Sequence, residues 1–239
     1  MKSVAALAMM ASSAAAFAPA SSTQGTSTAL KAGMPDRLWD SMVDKTERSK
    51  SVPFLPRAVN LDGSAPGDYG FDPFYLSSIP KNFAGFLQPP SWEETEGLPT
   101  LYWMQEAEIK HGRVAMLAVV GWIATDFGVR FPGAGAPFTE IPSAYLAHNT
   151  LVDQGAMSFM LMAAGFVEIV TGAALVQVSK GELERAPGDF NFGASFAGKT
   201  PEAVKTMKTK EINNGRLAML AFGGIATQTA LGSEAFPYF

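Results

Sequence analysis

The side chains able to do chemistry in this chain come in a repeated pattern. Glu108-Ile109-Lys110-His111-Gly112-Arg113-Val114-Ala115-Met116-Leu117-Ala118 returns about a hundred residues later as Glu211-Ile212-Asn213-Asn214-Gly215-Arg216-Leu217-Ala218-Met219-Leu220-Ala221. Each copy sets a carboxylate, an imidazole or amide, and a guanidinium at the head of an apolar run. Glu168 and Gln228 add one polar group each to other apolar stretches. On a helix, Glu108 and His111 lie about 60° apart, as do Glu211 and Asn214, and Gln228 returns to nearly the face of Asn214 about 21 Å further along. Donors strewn singly along helices do not make a protein-built metal cage, which needs three or four converging ligands. They suit large ligands that each bring a metal already held in a macrocycle and need one axial donor. Magnesium, a hard cation, accepts carboxylate, amide oxygen, imidazole or water in that role.

Other chemistries find little support. No nucleophile–base pair and no phosphate-binding glycine loop is visible, so an enzyme is not expected. The chain has no cysteine, which excludes disulfides and thiolate sites, and its histidines are His111 and His148. His148, alone in a Gly/Pro-rich stretch, reads as a surface residue. The net charge of −4 carries no nucleic-acid footprint. The charged fraction, 17%, is below the roughly 25% of a typical soluble domain.

The elements that must position these groups are three long helices. The first is expected over about 101–127, with a polar head, an uncharged body from Val114 to Thr125, and a stop at Gly128 and Pro132-Gly133. The second is expected over about 151–178 and holds 19 residues, Ala156 to Ala174, whose one charge is Glu168, the cleanest membrane-span candidate. It stops at Ser179-Lys180-Gly181. The third, about 201–231, opens with the capping sequence Thr200-Pro201-Glu202. Residues 35–100 read as extended and irregular, and 128–150 as a loop. A Pro-Gly-Asp-aromatic motif stands before both repeated helices, Pro66-Gly67-Asp68-Tyr69-Gly70-Phe71 and Pro187-Gly188-Asp189-Phe190-Asn191-Phe192.

The charges constrain how the helices meet. Glu108 and Arg113 point about 140° apart on one helix and cannot easily pair, and Glu211 with Arg216 are in the same position. If the repeated helices cross about a local two-fold axis, Arg113 meets Glu211 and Arg216 meets Glu108 in one geometry, and each carboxylate keeps an oxygen for a ligand. Ala115, Ala118 and Gly121, matched by Ala218, Ala221 and Gly224, are expected to let the two backbones approach closely. The expected fold is therefore an all-α membrane protein of three transmembrane helices, the first and third related by a pseudo-two-fold axis and crossing.

The N-terminus reads as a leader. Residues 1–16 look like a signal peptide, and 17–34, rich in Ser and Thr, form a plastid transit-like segment with no acidic residue before Asp36. The junction Ala16-Phe17-Ala18-Pro19 resembles the bipartite leader of proteins sent to plastids of red-algal origin.

With both motifs in view, Glu-x-x-His-x-Arg and Glu-x-x-Asn-x-Arg, each running into Ala-Met-Leu-Ala, resemble the first and third membrane helices of the light-harvesting chlorophyll-binding family. The resemblance covers residues 35–239. It implies that Glu108, His111, Glu168, Glu211, Asn214 and Gln228 are axial chlorophyll ligands and that Arg113 and Arg216 form the interhelix ion pairs. It implies that Lys210 approaches a pigment or lipid, and that the loops at Asp68, Phe71, Asp189 and Phe192 hold carotenoid end groups. The implied cofactors are chlorophyll a, chlorophyll c and a xanthophyll such as fucoxanthin, as in the red-lineage fucoxanthin–chlorophyll a/c antennae. The implied partners are a photosystem I or II core, other antenna subunits and thylakoid lipids, in the plastid thylakoid membrane. Met160 departs from the family where some relatives carry a second polar middle-helix ligand. A histidine that some relatives place after the third helix is missing too. Two alternatives stay open: a photoprotective member that dissipates excitation, and a small membrane carrier.

Overall fold

The computed structural model describes residues 40–79, 98–130, 141, 143–192, 198, 200–232 and 236–238. The chain divides into two units, Met1–Asp40 and Ser41–Phe239. The leader expected over 1–34 lies outside the described residues. The second unit runs β1 (Val43–Arg48), β2 (Pro56–Ala58), a 3-10 turn (Leu76–Ser78), α1 (Thr100–Asp126), α2 (Ala144–Asp153), α3 (Ala156–Ser179) and α4 (Pro201–Ala230).

The helix ends follow the local chemistry. Thr100 Oγ1 donates to the Ile79 carbonyl at 2.6 Å and ties the start of α1 to the 3-10 turn. At its other end Gly128 takes φ 76°, and the N–H groups of Val129 and Gly128 reach the carbonyls of Ala124 and Thr125 at 2.9 and 3.0 Å. α3 closes identically, with Gly181 at φ 72° and Glu182 and Gly181 bonded back to Gln177 and Val178 at 2.9 and 3.0 Å. This double bond needs a left-handed residue, which glycine adopts without penalty. Thr200 caps α4 by accepting the Ala203 N–H at 3.2 Å, with Pro201 and Glu202 in the first turn.

The middle of the chain departs from expectation. The helix expected over 151–178 is two helices, and the stretch expected to be loop contains α2, which carries His148. Gly155 at φ 77° breaks the run between Asp153 and Ala156. α2 starts where it does because Asp126, at the end of α1, accepts the Ala144 N–H at 2.7 Å. Nor is the segment before α1 wholly irregular: β1 and β2 pair antiparallel, with Val43 opposite Ala58. Met42, Val43, Ala58, Tyr75 and Leu98 bury themselves there as a small core. β1 has no alternating apolar residues beyond Val43, so periodicity could not reveal it. The described residues are thus not purely α-helical.

α1 and α4 cross at Gly112 and Gly215. A Cβ on Gly112 would lie 3.0 Å from the Cα of Gly215, and one on Gly215 2.9 Å from the Cα of Gly112. Ala115 and Ala218 are buried beside this point. The small-residue stripe ends there, because nothing lies within 4 Å of where a Cβ would stand on Gly121 or Gly224. The helices splay past the crossing, and Trp122 and Phe222 meet edge to face across the gap at 5.7 Å.

The bodies of the long helices expose large apolar side chains. Leu117 on α1, Phe159, Leu161, Phe166 and Ile169 on α3, and Leu217 and Leu220 on α4 are all exposed. α3 is, among the described helices, the one long and apolar enough by composition to cross a membrane, with mean hydropathy 2.0 and 6% of that window buried. A helix this apolar and this uncovered is not the core of a water-soluble protein, where large apolar faces are packed away.

The crossing yields a direct test. Gly112→Leu places atoms against backbone that cannot rotate aside, a form of overpacking that costs about 1–3 kcal/mol or more. Thermal unfolding in detergent, followed by circular dichroism, is expected to show a lowered Tm for Gly112→Leu and Gly215→Leu. Gly121→Ala, facing open space, is expected to leave the Tm unchanged or raised.

Candidate functional site

Both expected ion pairs are present. Arg113 Nε donates to Glu211 Oε1 at 2.7 Å, and Arg216 Nε donates to Glu108 Oε1 at 2.8 Å. The second oxygen of each carboxylate receives no protein donor among the described residues. Arg216 does one thing more than Arg113: its Nη1 donates to the Gly67 carbonyl at 2.8 Å.

That bond leads to the two Pro-Gly-Asp loops, which have the same local form. Gly67 and Gly188 sit at φ 70° and 69°, and the Asp68 and Asp189 N–H groups reach the Ala65 and Ala186 carbonyls at 3.3 and 3.1 Å. Each loop precedes one long helix and rests on the other. Gly67 lies against Ile212 of α4 and Gly188 against Ile109 of α1, so closely that a Cβ would come within 2.9 and 2.7 Å of the isoleucine Cγ2. Asn213 Nδ2 also donates to the Tyr69 hydroxyl at 2.9 Å.

The second loop has an anchor that the motif comparison missed. Glu106 of α1 is buried and accepts the Gly188 N–H at 2.5 Å and Arg185 Nη2 at 3.2 Å. The two charged side chains are 8% and 7% exposed. Phe190 covers the guanidinium with its ring centroid 4.4 Å from Cζ, and Tyr102 donates to the Arg185 carbonyl at 2.9 Å. Thr209 stands at the matching position of the second copy, so the one available signal was an acid without a repeat partner. Asp189 accepts Lys208 Nζ at 2.9 Å and the Asn191 N–H at 3.0 Å. These bonds, Lys208 first, hold its carboxyl below the ordinary aspartate range.

Helix heads and loops together enclose a cavity of 1710 Å³. Glu108, His111, Arg113, Glu211 and Arg216 line it, as do Asp68, Phe71, Asp189 and Phe192. Pockets for drug-sized ligands run to about 1,000 Å³, so this one suits a larger guest or more than one. Phe71 and Phe192 are 67% and 95% exposed, broad apolar faces at the rim. Asn214, Gln228, Glu168 and Lys210 lie elsewhere. All four are exposed on their helices.

Whether these residues fit a macrocyclic magnesium can be tested on their hydrogen bonds. His111 Nδ1 lies 2.8 Å from the Ala107 carbonyl. A carbonyl only accepts, so Nδ1 carries a proton, which leaves Nε2 as the ring nitrogen that could meet a metal. Asn214 and Gln228 make no side-chain hydrogen bond among the described residues and are exposed. Among the described residues no group of three His, Asp or Glu could hold a metal ion, so a metal here must bring most of its own coordination. The donor set fits. Glu168, the one charge of α3, takes its partner from α1: Lys110 Nζ donates to its Oε2 at 2.6 Å.

Residues 57–230 match the family described as chlorophyll A-B binding protein. Chlorophyll a-b binding protein 1B-21 of Hordeum vulgare is 31% identical over 194 residues, which is 77% of this chain and 68% of the relative. Photosystem I chlorophyll a/b-binding protein 6 of Arabidopsis thaliana is 33% identical over 187 residues, 73% of this chain and 62% of the relative. Light-harvesting complex stress-related protein 1 of Chlamydomonas reinhardtii is 34% identical over 186 residues, 73% of this chain and 66% of the relative. The chain thus spans about two thirds of the length of these relatives. The match takes in both motif helices, both Pro-Gly-Asp loops and the apolar helix between them, and on it the chain belongs to the chlorophyll A-B binding protein family.

Proposed function

We propose that this protein is a light-harvesting antenna that holds chlorophylls and carotenoids in the thylakoid membrane and passes excitation to a photosystem. The observation that carries the reading is the pair of reciprocal ion pairs. Each neutralises a carboxylate inside an apolar helix pair and leaves one of its oxygens beside a large cavity. Chlorophyll supplies the absorption and the excited state. The residues supply position: Glu108, Glu211, His111, Asn214, Gln228 and Glu168 each offer one axial donor, and Lys210 a surface contact. The loops at Asp68, Phe71, Asp189 and Phe192 receive carotenoid ends.

In this reading α1, α3 and α4 are three spans and α1 and α4 are pseudo-two-fold partners. At 27, 24 and 30 residues they are about 40, 36 and 45 Å long, enough for a ~30 Å hydrocarbon layer. The motif charges Glu108, Arg113, Glu211 and Arg216 are compatible with that layer because they are neutralised across the crossing. The leader-like N-terminus supports a red-lineage plastid, and with it chlorophyll c and a fucoxanthin-type carotenoid. A photosystem core and neighbouring antenna subunits are the proposed partners.

Similarity to stress-related algal proteins favours a second reading, dissipation of excitation. The carrier reading weakens, since Glu108, Glu211 and Glu168 each face a cation rather than forming a proton relay.

Three outcomes test this. The protein purified in mild detergent is expected to carry chlorophyll a, chlorophyll c and a xanthophyll on extraction, with a nanosecond-scale fluorescence lifetime. A colourless folded protein would overturn the antenna, and strong quenching would favour dissipation. Arg216→Leu is expected to cost about 1–3 kcal/mol and to release chlorophyll at Glu108. Arg113→Leu is expected to cost less, because Arg216 alone also holds the Gly67 carbonyl; equal losses would contradict this.

The Asp189 anchor sets a pH window. Its folded pKa is depressed, so its contribution is complete above the unfolded value of about 3.9 and fades as pH falls through the lower folded value. Carotenoid retention is therefore expected to hold from pH 7 to pH 5 and to drop only below about pH 4. Asp189→Asn should remove that drop, and carotenoid release already near pH 6 in the wild type would exclude Asp189 as its cause.

A further inference from the structure

Three carboxylates of the long helices, Glu108, Glu211 and Glu168, are handled alike. Glu108 receives Arg216 on one oxygen, Glu211 receives Arg113 on one oxygen, and Glu168 receives Lys110 on one oxygen. In every case the cation comes from a different helix. In every case the remaining oxygen has no protein donor among the described residues. The first two pairs were predictable from the repeat. The third was not, because Asn213 takes the place of Lys110 in the second copy and α3 has no repeat partner.

Lys110 occupies a distinctive position. It stands between Glu108 and His111 on α1 but turns toward α3, where its Nζ meets Glu168 Oε2 at 2.6 Å and Thr171 Oγ1 at 3.4 Å. Glu168 lies near the middle of α3, about 17 Å from either end. There is no other charged residue between Ala156 and Ser179, so α3 contains no cation of its own for Glu168. A charge so far from either end of an apolar helix is costly without a partner, so the partner must come from another helix.

We propose that Lys110 is a positioning residue for a chlorophyll ligated by Glu168: it supplies the opposite charge that this carboxylate lacks on its own helix, aims its free oxygen, and fixes α3 against α1 so that this pigment keeps a set distance from those on the helix pair. The inference rests on the antenna reading. It adds a function for a residue at which the two copies of the motif differ, outside the cavity between the loops. Lys110 touches no magnesium itself. Its ammonium uses one donor on Glu168 and a second, longer one on Thr171, so both the pairing and the direction of the carboxylate depend on it.

The test uses pigment-loaded protein and four chains: wild type, Lys110→Met, Lys110→Met/Glu168→Gln and Lys110→Met/Glu168→Met. Chlorophyll per chain, the absorption difference spectrum and the Tm are measured for each. Lys110→Met is expected to lose the chlorophyll at Glu168, with a difference spectrum of a single red-band component and carotenoid content unchanged. Lys110→Met/Glu168→Gln needs no cation and keeps an axial oxygen, so it should regain that chlorophyll. Lys110→Met/Glu168→Met, lacking both charges, should regain the Tm but not the pigment. A purely structural ion pair would instead make the two double variants alike in both readouts, which overturns the proposal. So would a Lys110→Met protein with the full pigment complement and an unshifted spectrum. A wild-type chain without chlorophyll would overturn the antenna reading itself, which separates the two failures.

Discussion

A charge inside an apolar helix must find its opposite, and the nearest one along the same helix points the wrong way. That constraint decides how α1 and α4 meet. Glu108 and Arg113 diverge by about 140°, so each can be neutralised only by a partner helix carrying the same pattern. Closing both pairs at 2.7 and 2.8 Å puts one bond on either side of a single crossing point. The crossing point must then be narrow. Gly112 and Gly215 each directly precede an arginine, and there the backbones touch. The glycine and the arginine of the motif are thus one device: the first lets the helices come near enough for the second to reach.

The loops depend on that crossing in turn. Each precedes one helix and sits on the isoleucine beside the other helix's motif glutamate. Arg216 extends the dependence, since one guanidinium holds Glu108 and the Gly67 carbonyl together. Displacing either helix moves both loops and reshapes the cavity they share. The two halves match in backbone but not in chemistry. Asp68 spends its oxygens on the N–H groups of Gly63 and Gly70, closing its own loop. Asp189 reaches across to Lys208, and its loop is further held by the buried Glu106 and Arg185. Two ends of one cavity that differ this way present different surroundings to whatever they hold.

Much of this was legible in the chain because repetition doubles a weak signal. A single Glu-x-x-His is uninformative, whereas two copies at equal spacing predicted the partners of Arg113 and Arg216 correctly. The bounds of α1 and α4 were legible from Thr200-Pro201 and Gly128, whose backbone roles are local. What repetition does not cover was not legible. Glu106 with Arg185 and Lys110 with Glu168 join residues 79 and 58 positions apart with no second copy to betray them. The α2–α3 break turns on Gly155, which after Asp153-Gln154 looks the same whether it continues a helix or ends it. The small-residue stripe was extended too far toward Gly121 and Gly224, because sequence shows which residues permit close approach but not where two splaying helices part. β1 and β2 are held by the burial of Met42, Val43 and Ala58, a tertiary effect without periodicity.

The middle helix follows a different logic from the pair. α1 and α4 are locked by backbone contact and two ion pairs, but α3 is joined to α1 by polar atoms, Lys110 with Glu168 and Thr171. Apolar contact is non-directional and leaves a helix free to slide or turn on its neighbour. A charge-assisted hydrogen bond fixes particular atoms at a particular distance. In the proposed antenna, which has to hold large flat rings at set separations, a helix kept in register by one polar bridge can stand away from its neighbours and still be aligned with them. The apolar faces it leaves uncovered, Phe159, Leu161, Phe166 and Ile169 among them, are then available to ring edges and lipid chains. In this architecture polar contacts set the register between helices, while apolar surface is left to the guests, the reverse of the division of labour in a water-soluble core.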